Sequence, residues 1–434
     1  MGLLATILVS LQSRHTLRNH IWQSLAIYVA QGFGLAFGVI MARILYPADF
    51  GAFGFALASV LLALLPATWT LNPMLVADGG RTPELHTKAA SFAWCVGFVR
   101  FSIVVSLVVW FYLRGQHRTA VLCLLCGISE SWRELNYIQR YYLEGLGIFK
   151  PNLMSALLGI LFCVTVVVPV AFLGWGPYTL TLPSIGGVCI DFFLYRHYSG
   201  RTVFVKPAWN IGRDIFREGF WMWLIRASEE GLNRLDSWFV GKFRGEAALG
   251  FYNRAFGYTP ISHMLLYSFV TSPTVVGLAR CETAFARRRL LARTAAIVFS
   301  GGLVNWVVFF FFARPIVLFV FGPKWEGAVP IFQAFASLSL AYAFAYLPVT
   351  LLWSVGRYRE IALVRVCCLA LFAGALFIFP GTRSAISVAW LVQATWLLQG
   401  LVLLVPCLFV LADLPTRKAK VAEPQPLIDE TRPK

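Results

Sequence analysis

The stretch Gly219–Pro260, GFWMWLIRASEEGLNRLDSWFVGKFRGEAALGFYNRAFGYTP, fixes the class of the whole chain. Its first part has the length and apolar content of a membrane span, yet it holds Arg226, Glu229, Glu230, Arg234 and Asp236. A charge at bilayer depth costs about 2.5–3.5 kcal/mol on insertion scales, so it persists only where water or a partner receives it. Arg226, Glu230 and Arg234 recur every four residues, and Glu229 lies seven before Asp236. At about 100° per residue these positions form two adjoining rows on one side of a helix. The pattern predicts either a helix lining a polar cavity inside a membrane protein or a structural ion ladder between helices. The two readings are compatible for different residues of the row.

Composition agrees with a membrane setting. Hydrophobic residues make up 59% and charged residues 13%, and mean hydropathy is +0.71. A soluble domain carries about a quarter charged residues. The net charge of +17 would suggest nucleic acid in a soluble protein, but here the positive-inside rule accounts for it and no nucleic-acid role is expected. Leu3–Leu11 is too short, and wrongly placed before its basic residues, for a cleavable signal. Cys123 and Cys126 form a CxxC, and Cys367 adjoins Cys368, but all four lie in apolar runs without histidine at ligand spacing. Neither a metal site nor a cofactor is expected.

Apolar stretches of span length, bounded by charges or turns, give twelve candidates. They begin near Trp22, Phe50, Ala89, Thr119, Asn152 and Tyr178, and then near Gly219, Ala247, Leu291, Ala328, Ile361 and Ser384. Pro183, Gly186 and Gly187 interrupt the sixth. Basic residues concentrate on one side, among them Arg81, Arg140, Lys150, Arg196, Arg201, Arg287, Arg288, Arg289 and Arg357. The other side has only Arg114, Arg118, Lys242, Arg244, Lys324 and Arg383. This asymmetry places both termini in the cytoplasm. The expected organisation is a cytoplasmic segment 1–20, a lobe of spans one to six over 21–200, and a cytoplasmic linker 201–218. A second lobe over 219–412 and a disordered cytoplasmic tail 413–434 complete it. Within the linker, Trp209–Phe216 reads as an amphipathic surface helix.

An offset of 199 residues sets Gln31–Ala56 over Glu230–Ala255 without a gap. Gly32, Ala48, Gly51 and Ala56 fall on Gly231, Ala247, Gly250 and Ala255, and Gln31 falls on Glu230. Both segments cover the first and second spans of their half. Parallel repeats related by an axis along the membrane normal are a transporter architecture with the site between the halves. The fold expected is all-α integral membrane, about twelve transmembrane helices in two six-helix lobes.

Several motifs resemble one family. They are R-x-L-x-x-x-x-F-G at Arg43–Gly51, D-x-x-x-x-G at Asp236–Gly241 and A-L-G-F-Y-N-R-A at Ala248–Ala255. QRYYLEGLGIFK at Gln139–Lys150, G-x-x-W-x-x-A at Gly322–Ala328 and Gly356-Arg357-Tyr358 join them. Together they resemble the oligosaccharide-lipid flippases of the O-antigen type, a branch of the MATE-like superfamily. The resemblance implies two lobes opening alternately to either side. It also implies a substrate, a polyprenyl-diphosphate-linked glycan turned across a bacterial inner membrane for cell-surface polysaccharide synthesis. Membrane lipids, and other polysaccharide-assembly proteins at the cytoplasmic loops, would be the further partners.

Such a substrate needs a wet cavity with cations for its diphosphate, and the planar arginine fork suits phosphate. Candidate cavity residues are Gln31, Arg43, Arg100, Arg133, Arg226, Arg234 and Arg254. Arg43 and Arg254, near span ends, could equally snorkel to the interface. Glu130, Arg133 and Glu134 could satisfy one another. Asp236 matches the family's aspartate, and it, Glu229 and Glu230 are candidates for coupling to a proton or sodium ion. Tyr28, Trp132, Tyr137, Trp221, Tyr342 and Tyr346 are candidate sugar-stacking rings. A multidrug exporter of the same architecture is the first alternative, although it would need an acidic cavity rather than an arginine excess. A membrane enzyme of glycan assembly is the second, although no large outer loop or nucleophile–base pair is evident.

Overall fold

The computed structural model describes residues 14–69, 83–201, 204–206, 212–261, 283–378 and 384–412, with 264, 267, 270, 274, 275, 277, 278 and 281. The expected N-terminal segment up to residue 13, the tail 413–434, and Trp209 to Ile211 of the expected surface helix lie outside them. From Gly212 onward the chain is already in the helix that becomes the seventh span.

The protein is an all-α membrane protein. In chain order the helices are α1 (Arg14–Ile44), α2 (Pro47–Ala63), α3 (Pro83–Leu113), α4 (His117–Gly145), α5 (Lys150–Phe172) and α6 (Gly176–Ser199). Then follow α7 (Gly212–Arg244), α8 (Glu246–Tyr258), α9 (Ala284–Phe311), α10, α11 (Tyr358–Ile378) and α12 (Ala385–Leu411). Helix α10 is bent by 42° between Pro323–Phe335 and Leu338–Ser354. The local signals are conventional. Pro47, Pro151 and Pro183 stand in first turns, where the missing N–H is harmless, so Pro183 starts the regular part of α6 rather than breaking it. Thr283 and Ser384 cap α9 and α12 through their hydroxyls. Between α7 and α8 only Gly245 intervenes, with φ of 85°, a conformation glycine adopts without the Cβ clash.

Packing repeats the sequence repeat. In the first half α3 packs on α4, α4 on α6, α5 on α6 and α1 on α5. In the second half α9 packs on α10, α10 on α12, α11 on α12 and α7 on α11. The halves meet chiefly through α2, which lies against both α8 and α7. A Cβ built at Gly51 would stand 1.6 Å from the Glu246 carbonyl oxygen, and one at Gly250 would stand 1.9 Å from that of Pro47. The 199-residue offset exchanges Gly51 with Gly250 and Pro47 with Glu246. The contact is therefore self-complementary, and the pseudo-two-fold axis runs between α2 and α8. Glycine is required there for two backbones to touch.

Seven helices, α1, α3, α5, α6, α9, α11 and α12, are long and apolar enough to cross a membrane, and bent α10 makes an eighth. The other four are α2, α4, α7 and α8. Helix α2 packs against all three of its companions in this group. A helix shielded from lipid by protein can be short or charged, which is why hydropathy fails along this central group.

Candidate functional site between the lobes

The end of the bundle where α1 turns into α2 and α7 into α8 is sealed. Arg118 bridges the lobes, reaching Asp49 at 3.3 Å and Glu246 at 3.1 Å. Trp325 is fully buried; its ring meets Phe50, Phe251 and Phe321, and its Nε1 donates to the Ala42 carbonyl at 2.9 Å. Arg43 donates through Nε to the Val320 carbonyl at 2.9 Å and through Nη2 to that of Phe319. These are carbonyls at the end of the short helix Ala313–Val320. Arg254 lies 3.8 Å from the centre of the Phe50 ring, and the Tyr258 hydroxyl donates to the Leu35 carbonyl. Arg43 and Arg254, taken from the sequence as cavity residues, are thus placed at the sealed end as clasps between the lobes. The Arg43–Gly51, Ala248–Ala255 and Gly322–Ala328 motifs build the same closure.

Charge gathers on the walls flanking α2. Helix α4 turns Glu130, Arg133, Tyr137 and Tyr141 along one face, and α7 turns Arg226, Glu230 and Arg234 along one of its own. Arg133 pairs with Glu130 at 2.8 Å and Arg234 with Glu230 at 2.7 Å, each within its own helix. Glu130 lies within electrostatic reach of Glu230 and Arg234, and Tyr141 within reach of Arg226. The two walls therefore face each other. Three arginines stand against two carboxylates. Arg226 is exposed and, among the described residues, makes no hydrogen bond or ion pair. Gln31 presents a buried Oε1 that accepts no hydrogen bond.

Arg100 has its donors filled elsewhere. It binds the Ala67 carbonyl at 2.8 Å, the Glu130 carbonyl at 3.2 Å and the Glu134 carboxylate at 3.1 Å, and so ties α3 to α4 and to the end of α2. Asp236 is fully buried and accepts from the Tyr252 hydroxyl at 2.7 Å and from the Ser237 amide, tying α7 to α8. Glu229 points into the second lobe, where Arg365 meets it at 2.7 Å and the Tyr346 hydroxyl donates to it at 2.6 Å. Of the three candidate coupling carboxylates, then, only Glu230 stands on the facing wall.

Arg365, Asp191 and Trp353 were not singled out by the sequence reading. A signal existed for the first two, because Arg365 stands alone in the apolar run IALVRVCCLALF and Asp191 in the sixth span. Trp353 gave none. Of the candidate rings, Trp132 packs among Trp94, Phe98 and Phe101. Tyr342 is buried against Trp396, and Tyr346 borders a cavity in the second lobe.

The architecture is a two-lobed bundle of membrane helices. The family described as polysaccharide biosynthesis protein matches residues 40–330, more than half of the chain, and the chain belongs to that family. No curated protein matches the sequence. Among solved structures, an inward-facing multidrug resistance MATE family transporter of the MOP superfamily superposes with TM-score 0.67 at 11% identity. That match covers 91% of this chain and 98% of the other. The lipid II flippase MurJ, in an inward closed conformation, gives 0.64 at 16% identity, covering 92% and 94%. An outward-facing MATE transporter gives 0.55 at 15% identity, covering 93% and 92%. These likenesses show the fold that the chain shares with those structures, a two-lobed bundle of membrane helices.

Proposed function

We propose that this protein is a flippase that moves a polyprenyl-diphosphate-linked oligosaccharide across the bacterial inner membrane by alternating access, for cell-surface polysaccharide synthesis. The observation that carries the reading is the pair of facing walls, where arginine outnumbers carboxylate beside an axis whose other end is sealed. A diphosphate is the anion such a surface suits, since guanidinium forks bind phosphate oxygens in pairs. An excess of arginine is the wrong sign for cationic drugs. The distribution of basic residues sets the sealed end outward and both termini in the cytoplasm, so this conformation receives substrate from inside. No catalytic step is needed for the movement.

We assign the diphosphate to Arg133, Arg226 and Arg234. Coupling is placed at Glu230: a proton or sodium ion bound there loosens Arg234 for phosphate. Asp236 serves packing within the second lobe. The family match supports the glycan part of the reading, and the fold supports transport. The decisive experiment removes the gene and locates the lipid-linked glycan. Accumulation on the cytoplasmic leaflet, reversed by wild type and not by Arg226→Ala, is expected. Normal glycan export together with sensitivity to cationic drugs would replace this reading with multidrug export.

A further inference from the structure

The second lobe contains a chamber of about 240 Å³ opening beside the facing walls. Its lining includes Arg226, Glu229, Tyr346, Val349, Trp353 and Arg365. We infer that this chamber seats one pyranose ring, the sugar attached directly to the diphosphate, and so determines which glycan the protein accepts. The inference rests on the flippase reading above.

Size decides first. Pockets for drug-sized ligands run to about 300–1,000 Å³, and a water takes roughly 30 Å³. The chamber therefore has room for a six-membered ring with its hydroxyls, about a dozen heavy atoms. Its lining decides next. Most of it is aromatic or aliphatic, with a few polar groups among them, the composition of a ligand site rather than of a solvent channel. Trp353 supplies an aromatic ring to the lining, and the negative potential of such a ring complements the slightly positive C–H face of a pyranose, while Tyr346 is stacked on Trp396. Of the two arginines in the lining, Arg365 is held by Glu229, which leaves Arg226 for the phosphate.

The polar groups are already oriented. Arg365 is 2% exposed, and its pairing with Glu229 holds that carboxylate in place while 28% of the Glu229 side chain remains accessible. Glu229 can therefore accept from a sugar hydroxyl without carrying an uncompensated buried charge. Position completes the argument. Arg226 belongs both to the α7 row facing Tyr141 and to the chamber lining. A diphosphate held by Arg226 thus places its own glycosidic sugar, and not a later one, at the chamber mouth.

The test compares two probes on the full-length protein in nanodiscs by calorimetry: farnesyl diphosphate, and farnesyl diphosphate carrying one glucose or one N-acetylglucosamine ring. Wild type is expected to bind a glycosylated probe at least tenfold more tightly than the bare one. Trp353→Ala should bring that ratio close to one, and Trp353→Phe, which keeps a ring face, should restore most of it. Equal affinities in wild type for bare and both glycosylated probes would overturn the chamber assignment and leave the diphosphate reading standing. A ratio unchanged in Trp353→Ala would also overturn it. Binding of no probe at all would overturn both.

Discussion

Helices α1 and α7 are the same element of the repeat, yet only one carries the chemistry. In the gapless register Gln31 stands where α7 has Glu230, Leu35 where it has Arg234, and Phe37 where it has Asp236. The charge of the first lobe sits instead on α4, at Glu130, Arg133, Glu134 and Arg140. The counterpart of α4 by order and packing is α10, which has no such face. Two helices that the pseudo-symmetry does not exchange thus face one another. The repeat preserves what both lobes need to close, the Gly51–Glu246 and Gly250–Pro47 contacts. If the walls bind a diphosphate as proposed, charge was free to diverge, because a binding surface needs two complementary walls, not two identical ones.

The largest expected effect tests the preserved half of this comparison. Gly51→Val and Gly250→Val each put a side chain where a carbonyl oxygen already stands, and neither backbone can yield without parting α2 from α8. Both variants are expected to abolish export while still inserting in the membrane. A cysteine at buried Leu45, in an otherwise cysteine-free background, should become reactive to a water-soluble maleimide in both. The two should fall alike. One variant retaining wild-type export would show that the contact is not symmetric in use.

Next in size is the buried Arg365–Glu229 pair of the second lobe. Removing one partner of a buried ion pair typically costs about 3–5 kcal/mol, because the other charge is stranded. Arg365→Leu should lower thermal stability by that order, read from the loss of monodisperse protein after heating. Arg365→Leu with Glu229→Leu should recover most of the loss, since no charge is then left unpaired. If the double variant is no more stable than the single, the pair contributes through something other than charge compensation.

How much of this was legible follows from where each side chain finds its partner. The charges of α7 announced an interior helix because they violate membrane hydropathy within a single span. The repeat was legible because glycine and alanine positions survive where backbones touch. In sequence Arg43 and Arg254 differed from Arg226 and Arg234 only by lying near span ends, which suits snorkelling to the interface as well as a cavity. What separates them is a partner hundreds of residues away: the carbonyls of Phe319 and Val320 for Arg43, the Phe50 ring for Arg254. The chamber was hidden for the same reason, its walls coming from α7, α10, α11 and the segment after α8. No local pattern brings Trp353 to Arg226.

A smaller effect sharpens the divergent half of the comparison. Arg234→Ala should slow export about tenfold, the worth of one charge-assisted hydrogen bond of about 1.4 kcal/mol. Adding Leu35→Arg, which puts an arginine at the equivalent place in α1, should not restore it if the chemistry belongs to the α4–α7 pairing. Restoration would mean that the cavity reads total charge rather than position.

The smallest expected effect falls on the wall of the first lobe. Arg133 and Glu130 pair within one helix, three residues apart, and the Arg133 side chain is 33% accessible. Glu130 itself is buried, so the Coulomb gain is set against its desolvation, and the partly accessible Arg133 can turn to water once the carboxylate is gone. Glu130→Gln should therefore leave thermal stability within about 1 kcal/mol of wild type. Its effect on export should have the opposite sign to that of Arg133→Ala. Losing the carboxylate frees the guanidinium for phosphate and raises affinity for a short-chain prenyl diphosphate severalfold, whereas losing the guanidinium lowers it. A purely structural pair would give the same sign for both, since either change breaks the same bond. Opposite signs at α4, matched by opposite signs for Glu230→Gln and Arg234→Ala at α7, would establish that two unrelated helices converged on one task.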